Sequence, residues 1–252
     1  MQVGQELVLL NTNDPVVNSA ASIPAASKPA QPQRDSVMPV PALSPEAIAS
    51  IQRTIPATIE MTCSWENVHN ARLRSKALKG GTISTSAMTA WAVVQAICKH
   101  KRFASVQLNE RSSSEPGCFD VGIAVALPGD KLETAVIKQA NTLEWAAFLE
   151  AFHQALQRVR HGGIDSKNRV PITITSMSTH KVRSAIPVVV PPALATLFVG
   201  APYSIANPSA QNGSSQLMVS LVLTFDHRWN NGVGAAAFLS DIRKGIERFD
   251  KL

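Results

Sequence analysis

"SLVLTFDHRWNNGVGAAAFLSDI", residues 220–242, changes character halfway. Up to Phe225 it is mostly apolar or β-branched, the composition of a buried strand. Asp226, His227 and Arg228 follow without a break. Asn230, Asn231 and Gly232 then supply turn chemistry. From Val233 the apolar residues recur at a helical period. A histidine at a strand end beside a turn is held by a rigid element and still reaches a cleft. A general base has those requirements. A lone histidine in such a place is ordinarily structural, so the rest of the chain has to decide.

The chain has 252 residues, 45% hydrophobic and 17% charged, enough to bury one large core or two small ones. No apolar run approaches a membrane span. The opening "MQVGQELVLLNTND" lacks the basic, apolar and small-residue sequence of a secretory signal. Cys63, Cys98 and Cys118 are odd in number and widely spaced, which implies neither a disulfide framework nor a metal site. The expected setting is therefore reducing and intracellular, a bacterial cytoplasm or an organelle matrix, with no metal. The net charge is +6, but the cations are scattered. The densest stretches, "ARLRSKALKG" and "KHKR", are not interleaved with aromatics and read as solvated helix faces. No nucleic-acid or membrane partner is expected, whereas a phosphate-bearing cofactor would suit the charge.

Residues 12–44 are rich in Ala, Pro and Ser and cannot bury enough surface to offset their ordering entropy, so they are expected to form a mobile linker. Before them, Val3 to Leu10 reads as a short strand. Order is expected from about Leu43 to Ile51 onward. In the body, "TIPATIEMTCSW" reads as a strand and residues 86–101 as a mostly buried helix. "FDVGIAVAL" and "LETAVI", split by "PGD", read as a hairpin. Trp145, Leu149, Phe152, Leu156 and Val159 make one apolar helical stripe. Asn141 and Glu144 are read as its N-cap with a reciprocal acid, and Gly162-Gly163 as its left-handed stop. "VPITITSMS", "ALATLFVG" and "LMVSLVLTF" are further strands. Ala235, Phe238, Leu239, Ile242, Ile246 and Phe249 form one face of a last helix. Strands and helices mixed around one sheet define an α/β (α+β) domain.

Asp226-His227-Arg228, Asn231, Gly232 and the small-residue-rich helix after them resemble the active-site signature of the 2-oxoacid dehydrogenase acyltransferases. These dihydrolipoamide acyltransferase cores belong to the chloramphenicol acetyltransferase-like superfamily. The likeness is collinear over roughly residues 43–252. "QRTIPATIEMTCSWENVHNARLRSKAL" resembles the family's first core strand and helix, and residues 119–164 its central hairpin and helix. "PITITSMS" resembles the strand whose hydroxyl residue serves the reaction's oxyanion. Trp229 and Asn230 depart from the aliphatics usual there, and "THKVR" replaces glycines usual after Thr175. "MQVGQELVLLNT" looks like the last strand of a lipoyl domain, so residues 1–11 are expected to be such a remnant and residues 45–252 the catalytic domain.

The resemblance implies a mixed sheet flanked by helices, a trimer or a larger cage of trimers, and acyl transfer between coenzyme A and a thiol such as dihydrolipoamide. The lipoyl group would sit on a domain absent from this chain. Partners would be further copies and the dehydrogenase components of the complex. By the same implication, His227 is the base, Thr175 the oxyanion donor and Asn231 an orienting group, with the histidine and the hydroxyl meeting across a subunit interface. Asp226 and Arg228 are expected to hold the strand end through ion pairs, and Gly232 to meet a backbone requirement. For Thr175 a plain strand role and for Asn231 plain turn chemistry remain open. His69, His100, His153, His161 and His180 are expected to be surface or structural residues, and the cysteines inert. Two other functions are compatible with these residues: a non-catalytic core subunit, and a free-standing acyltransferase for a small acceptor.

Overall fold

A computed structural model describes residues 45–77, 82–107, 113–114, 117–129, 131–206 and 215–250. The expected strand remnant at residues 1–11 and linker at residues 12–44 lie outside them. The chain opens with helix α1 (Pro45–Gln52), strand β1 (Pro56–Ser64), helix α2 (Glu66–Ala77) and helix α3 (Thr85–Lys99). A two-stranded ribbon, β2 (Val106–Gln107) and β3 (Ser113–Ser114), follows. Next come β4 (Val121–Leu127), β5 (Lys131–Ile137), α4 (Trp145–Arg160), β6 (Ile172–Ser176), β7 (Ala195–Val199), β8 (Tyr203–Ala206), β9 (Ser215–Asp226) and α5 (Gly232–Glu247).

Seven strands form one mixed sheet in the order β1-β9-β7-β6-β4-β5, with β8 pairing the first residues of β9 where β7 ends. The β4–β6 and β6–β7 pairs are parallel and the others antiparallel. β1 shows why one face is the core: Ala57, Ile59, Met61 and Cys63 point inward, while Thr58, Glu60 and Thr62 point out. The central strands are buried on both faces, all of β7 and β9 from Val219 onward. Their inner residues, such as Leu197, Leu221, Leu223 and Phe225, pack in one cluster with Val93 and Ile97 of α3, Phe148 and Phe152 of α4, and Phe238 and Leu239 of α5.

The helices follow their stripes. In α5 the expected Ala235, Phe238, Leu239, Ile242 and Ile246 are all buried. Ser84 caps α3, its Oγ accepting from Ala87 N at 3.1 Å. Gly162, at φ 84, closes α4 in the left-handed conformation expected there. The expected cap at the other end of α4 is not the one observed. Asn141 lies in a short 3-10 turn (Ala140–Thr142), and its Oδ1 accepts from Phe119 N at 3.0 Å. Glu144 takes the N-cap position without a side-chain bond. The amide is spent on tying this turn to the segment that leads into β4.

Residues 182–190 run as an extended strap. Thr196 Oγ1 donates to Val188 O at 2.9 Å, and Ala201 N donates to Val182 O at 2.7 Å. The strap passes so close to Gly200 that a Cβ there would lie 2.0 Å from Arg183 O, which makes glycine obligatory. Val189 turns inward, whereas Ile186 (75% exposed), Val188 and Val190 turn outward.

Candidate active site

The end of β9 is fixed from both sides. Asp226 N donates to Leu194 O at 2.9 Å, and His227 N donates to Ile55 O at 2.7 Å. The Asp226 carboxylate is 1% exposed. It accepts from Arg228 Nε at 3.0 Å, Arg228 N at 3.0 Å and Ile55 N at 3.3 Å, besides its ion pair with Arg228 Nη2. Arg228 thus satisfies a buried acid and anchors the turn, the supporting role expected of both residues. The His227 ring, 5.8 Å from that of Phe225, remains exposed, and no hydrogen bond to a described residue holds it.

Asn231 is the N-cap of α5: its Oδ1 accepts from Gly234 N at 2.8 Å. Within one chain the asparagine therefore performs helix capping. Gly232, the first residue of α5, does not meet the expected backbone requirement. It has no left-handed φ, and a Cβ there would meet nothing within 4 Å. Two residues before it, Asn230 is 3% exposed, and its Nδ2 has no hydrogen-bond partner among the described residues. Trp229 Nε1 is likewise buried and unpartnered. These are the two positions of this turn that the sequence comparison above sets apart from the usual aliphatics.

Thr175 lies near the end of β6, and no hydrogen bond to a described residue engages its Oγ1. It lines a cavity of about 400 Å³ with Trp65, Phe152, Arg160, Ile174 and Ser178 among others. The turn after β6, where "THKVR" stands in place of the family's usual glycines, is shaped by hydroxyls. Ser176 Oγ donates to Val199 O at 2.8 Å and accepts from Ser178 N at 3.3 Å, and Lys181 takes a left-handed φ of 57. Sequence reasoning missed Trp65 and Arg160 as cavity residues. No local signal marks them, because the cavity forms only when α3, α4 and the ends of β4 and β6 meet.

The structure does not bring Thr175 and His227 together in one chain. Thr175 pairs with Phe198, and Phe198 with Val222, so His227 lies five residues beyond that row and two strands across. The two residues are about 20 Å apart on strand geometry.

Of the other titratable groups, His100 pairs with Asp241 at 2.9 Å, joining the end of α3 to α5. Hydrogen bonds from His100 and Lys244 hold the Asp241 carboxyl below its ordinary value, against the opposing effect of burial. Burial, assisted by Glu247, pushes the Cys63 thiol up to about 12, and burial also raises Cys98. Neither shift creates a reactive thiolate. Among the described residues no group of three or more His, Cys, Asp or Glu side chains is placed to hold a metal ion. No described helix is long and apolar enough to cross a membrane.

This sheet with its covering helices is the architecture of the chloramphenicol acetyltransferase-like acyltransferases. A solved chloramphenicol acetyltransferase superposes with a TM-score of 0.53 at 12% identity, over 80% of this chain and 94% of its own. Residues 42–252 match the 2-oxoacid dehydrogenases acyltransferase (catalytic domain) family, and the chain belongs to it. A probable dihydrolipoamide acetyltransferase from Listeria monocytogenes superposes with a TM-score of 0.73 at 21% identity, over 86% of this chain and 97% of its own. A dihydrolipoamide acetyltransferase of Azotobacter vinelandii, in which a serine, a histidine and an asparagine have been investigated for their catalytic role, gives 0.71 at 20% identity, over 80% and 85%. The dihydrolipoyllysine-residue acetyltransferase component of the Bacillus subtilis acetoin cleaving system is 25% identical over 231 residues. That match takes in 88% of this chain but only 58% of the relative's length.

Proposed function

We propose that residues 45–252 form the catalytic domain of an acyltransferase that moves an acyl group between coenzyme A and a thiol of the dihydrolipoamide type. The sites would lie between copies in a trimer or a cage of trimers that serves a 2-oxoacid dehydrogenase-type complex. The observation that carries this reading is a pair of intervals. Thr175 stands 52 residues before His227 and Asn231 four after it, the spacing of the three residues investigated in the Azotobacter enzyme. Two features of the chain support a site shared between copies. The two reacting groups sit toward opposite ends of the strands, neither side chain bonded to a described residue, and the strap beyond β6 turns Ile186, Val188 and Val190 to the outside. A second copy is the occupant that answers both.

In this reading His227 takes the proton of the attacking thiol, and the sulfur bonds to the thioester carbonyl carbon. Charge passes to the carbonyl oxygen, to which Thr175 of the partner subunit donates. Breaking the old C–S bond releases a thiolate that recovers the proton from His227. One thioester and one thiol give one thioester and one thiol. The Asp226–Arg228 pair and the Asn231 cap fix the turn that carries the base.

The test is thiol-dependent release of coenzyme A from a panel of acyl-CoAs with dihydrolipoamide. His227→Ala lowers turnover by about 10²–10⁴-fold. Thr175→Val lowers it on the order of 10²-fold. Sedimentation and melting temperature stay near wild type in both. Full activity after His227→Ala overturns the assignment of the base. A second reading, a core subunit without activity, is favoured by the unpartnered donors of Trp229 and Asn230 beside the histidine. It requires a wild type that is silent toward every acyl-CoA offered.

A further inference from the structure

Gly232 is a glycine without a steric or backbone need, since a Cβ would meet nothing within 4 Å and its φ is not left-handed. What it changes is the reactivity of the residue before it. The side-chain amide of an asparagine can be attacked by the backbone nitrogen of the next residue, and a Cβ on that residue obstructs the approach. Asn-Gly removes the obstruction. The pair occurs twice, at 212–213, outside the described residues, and at 231–232.

The start of α5 favours the attack at Asn231. Its Oδ1 already accepts from Gly234 N at 2.8 Å, at the positive end of the helix. Attack on Cγ drives negative charge onto that oxygen, so the cap donor stabilises the tetrahedral intermediate as an oxyanion donor does. As the first residue of α5, Gly232 has no intrahelical acceptor for its own N–H, and the same helix field eases loss of that proton. Asn231 is extended, with ψ 165, and has to rotate before the nitrogen faces Cγ. The turn that must open for this is weakly held. Gly232 and Gly234 lower its helix propensity, Val233 is 83% exposed, and α5 has no buried residue before Ala235. Asn230, by contrast, is buried and precedes a residue with a side chain.

We propose that Asn231 is a self-modification site. Gly232 N bonds to Asn231 Cγ, the Cγ–Nδ2 bond breaks, and ammonia leaves with the proton from Gly232. Water then opens the five-membered imide. Opening at Cγ gives aspartate, which keeps the cap and adds charge that suits the helix end. Opening at the backbone carbonyl gives isoaspartate, which routes the chain through one extra methylene and unseats the cap four residues after His227. The effect on turnover rests on the proposed role of His227, whereas the modification does not.

The assembled protein is incubated at neutral and at mildly alkaline pH, and peptide mapping by mass spectrometry reads asparagine, aspartate and isoaspartate at residue 231. Conversion rises with hydroxide, gives both products, and runs within about tenfold of a synthetic peptide of residues 225–238. Gly232→Ala slows it by about tenfold or more, without lowering the melting temperature. Conversion confined to Asn212, residue 231 intact while the peptide converts in full, or a rate indifferent to Gly232→Ala overturns the proposal. The comparison of wild type with the peptide decides the matter even where the variant fails to fold. Turnover followed in the same samples falls as isoaspartate accumulates, and constant turnover overturns the claim that the turn is unseated. A wild type silent toward every acyl-CoA refutes the reaction alone, because conversion is read by mass.

Discussion

At the scale of single residues, the turn after β9 holds both the proposed base and two buried donors without a partner among the described residues. His227 is presented by backbone bonds on either side of it, to Ile55 and Leu194, and by the buried Asp226–Arg228 pair. Three places on, Asn230 buries an amide whose Nδ2 meets no acceptor among the described residues. A buried donor left unmade costs about 1–3 kcal/mol, whereas an apolar group of similar size costs nothing there. Asn230→Val is therefore expected to stabilise the fold by about 1 kcal/mol, read as a shift of the denaturation midpoint at unchanged slope. An unchanged or lowered midpoint would mean that the amide finds its partner in the assembled protein. The motif itself was legible because five polar and glycine positions recur in order. The orphaned indole and amide donors were visible only as an oddity of composition, since burial is decided by the strands packed around the turn.

At the scale of elements, periodicity carried most of the information. The strand alternation of β1, the stripe of α5 and the glycine closing α4 are local consequences of spacing, and each lies where its pattern puts it, whereas the buried face of α4 is Phe148, Phe152, Ala155 and Val159, with the expected Trp145, Leu149 and Leu156 only partly buried beside it. Asn141 shows where local reading ends. Its spacing to Glu144 matches a capping box, but a carboxamide can equally tie a turn to a neighbouring strand, and the bond to Phe119 N takes precedence. The clasp between α3 and α5 was illegible for the same reason, since His100 and Asp241 are 141 residues apart. It has a pH signature. The Asp241 carboxyl is held below its ordinary 3.8, so the clasp contributes in full above that value and is lost as the pH falls through the lower, folded-state value. Asp241→Asn should lower the melting temperature at pH 7 by an amount worth under about 1 kcal/mol, because the pair is partly exposed and screened. The deficit should shrink as the pH falls below 3.8 and the carboxyl protonates in both states.

At the scale of the molecule, the sheet sets how the reaction can be organised. Strand order and cavity could not be read from the chain, because both depend on which strands pair across long loops. Once built, the sheet places Thr175 and His227 about 20 Å apart. On the proposed shared site, each copy would lend one half of a site to one neighbour and borrow the other half from another. The consequence is genetic. A cell with one allele encoding Thr175→Val and another encoding His227→Ala makes two proteins, each inactive when alone. Where they co-assemble at random, about one interface in four joins an intact threonine to an intact histidine. The expected result is complementation to about a quarter of normal activity from two defective alleles, measurable after mixed refolding or co-expression. Two alleles that both damage His227 should never complement.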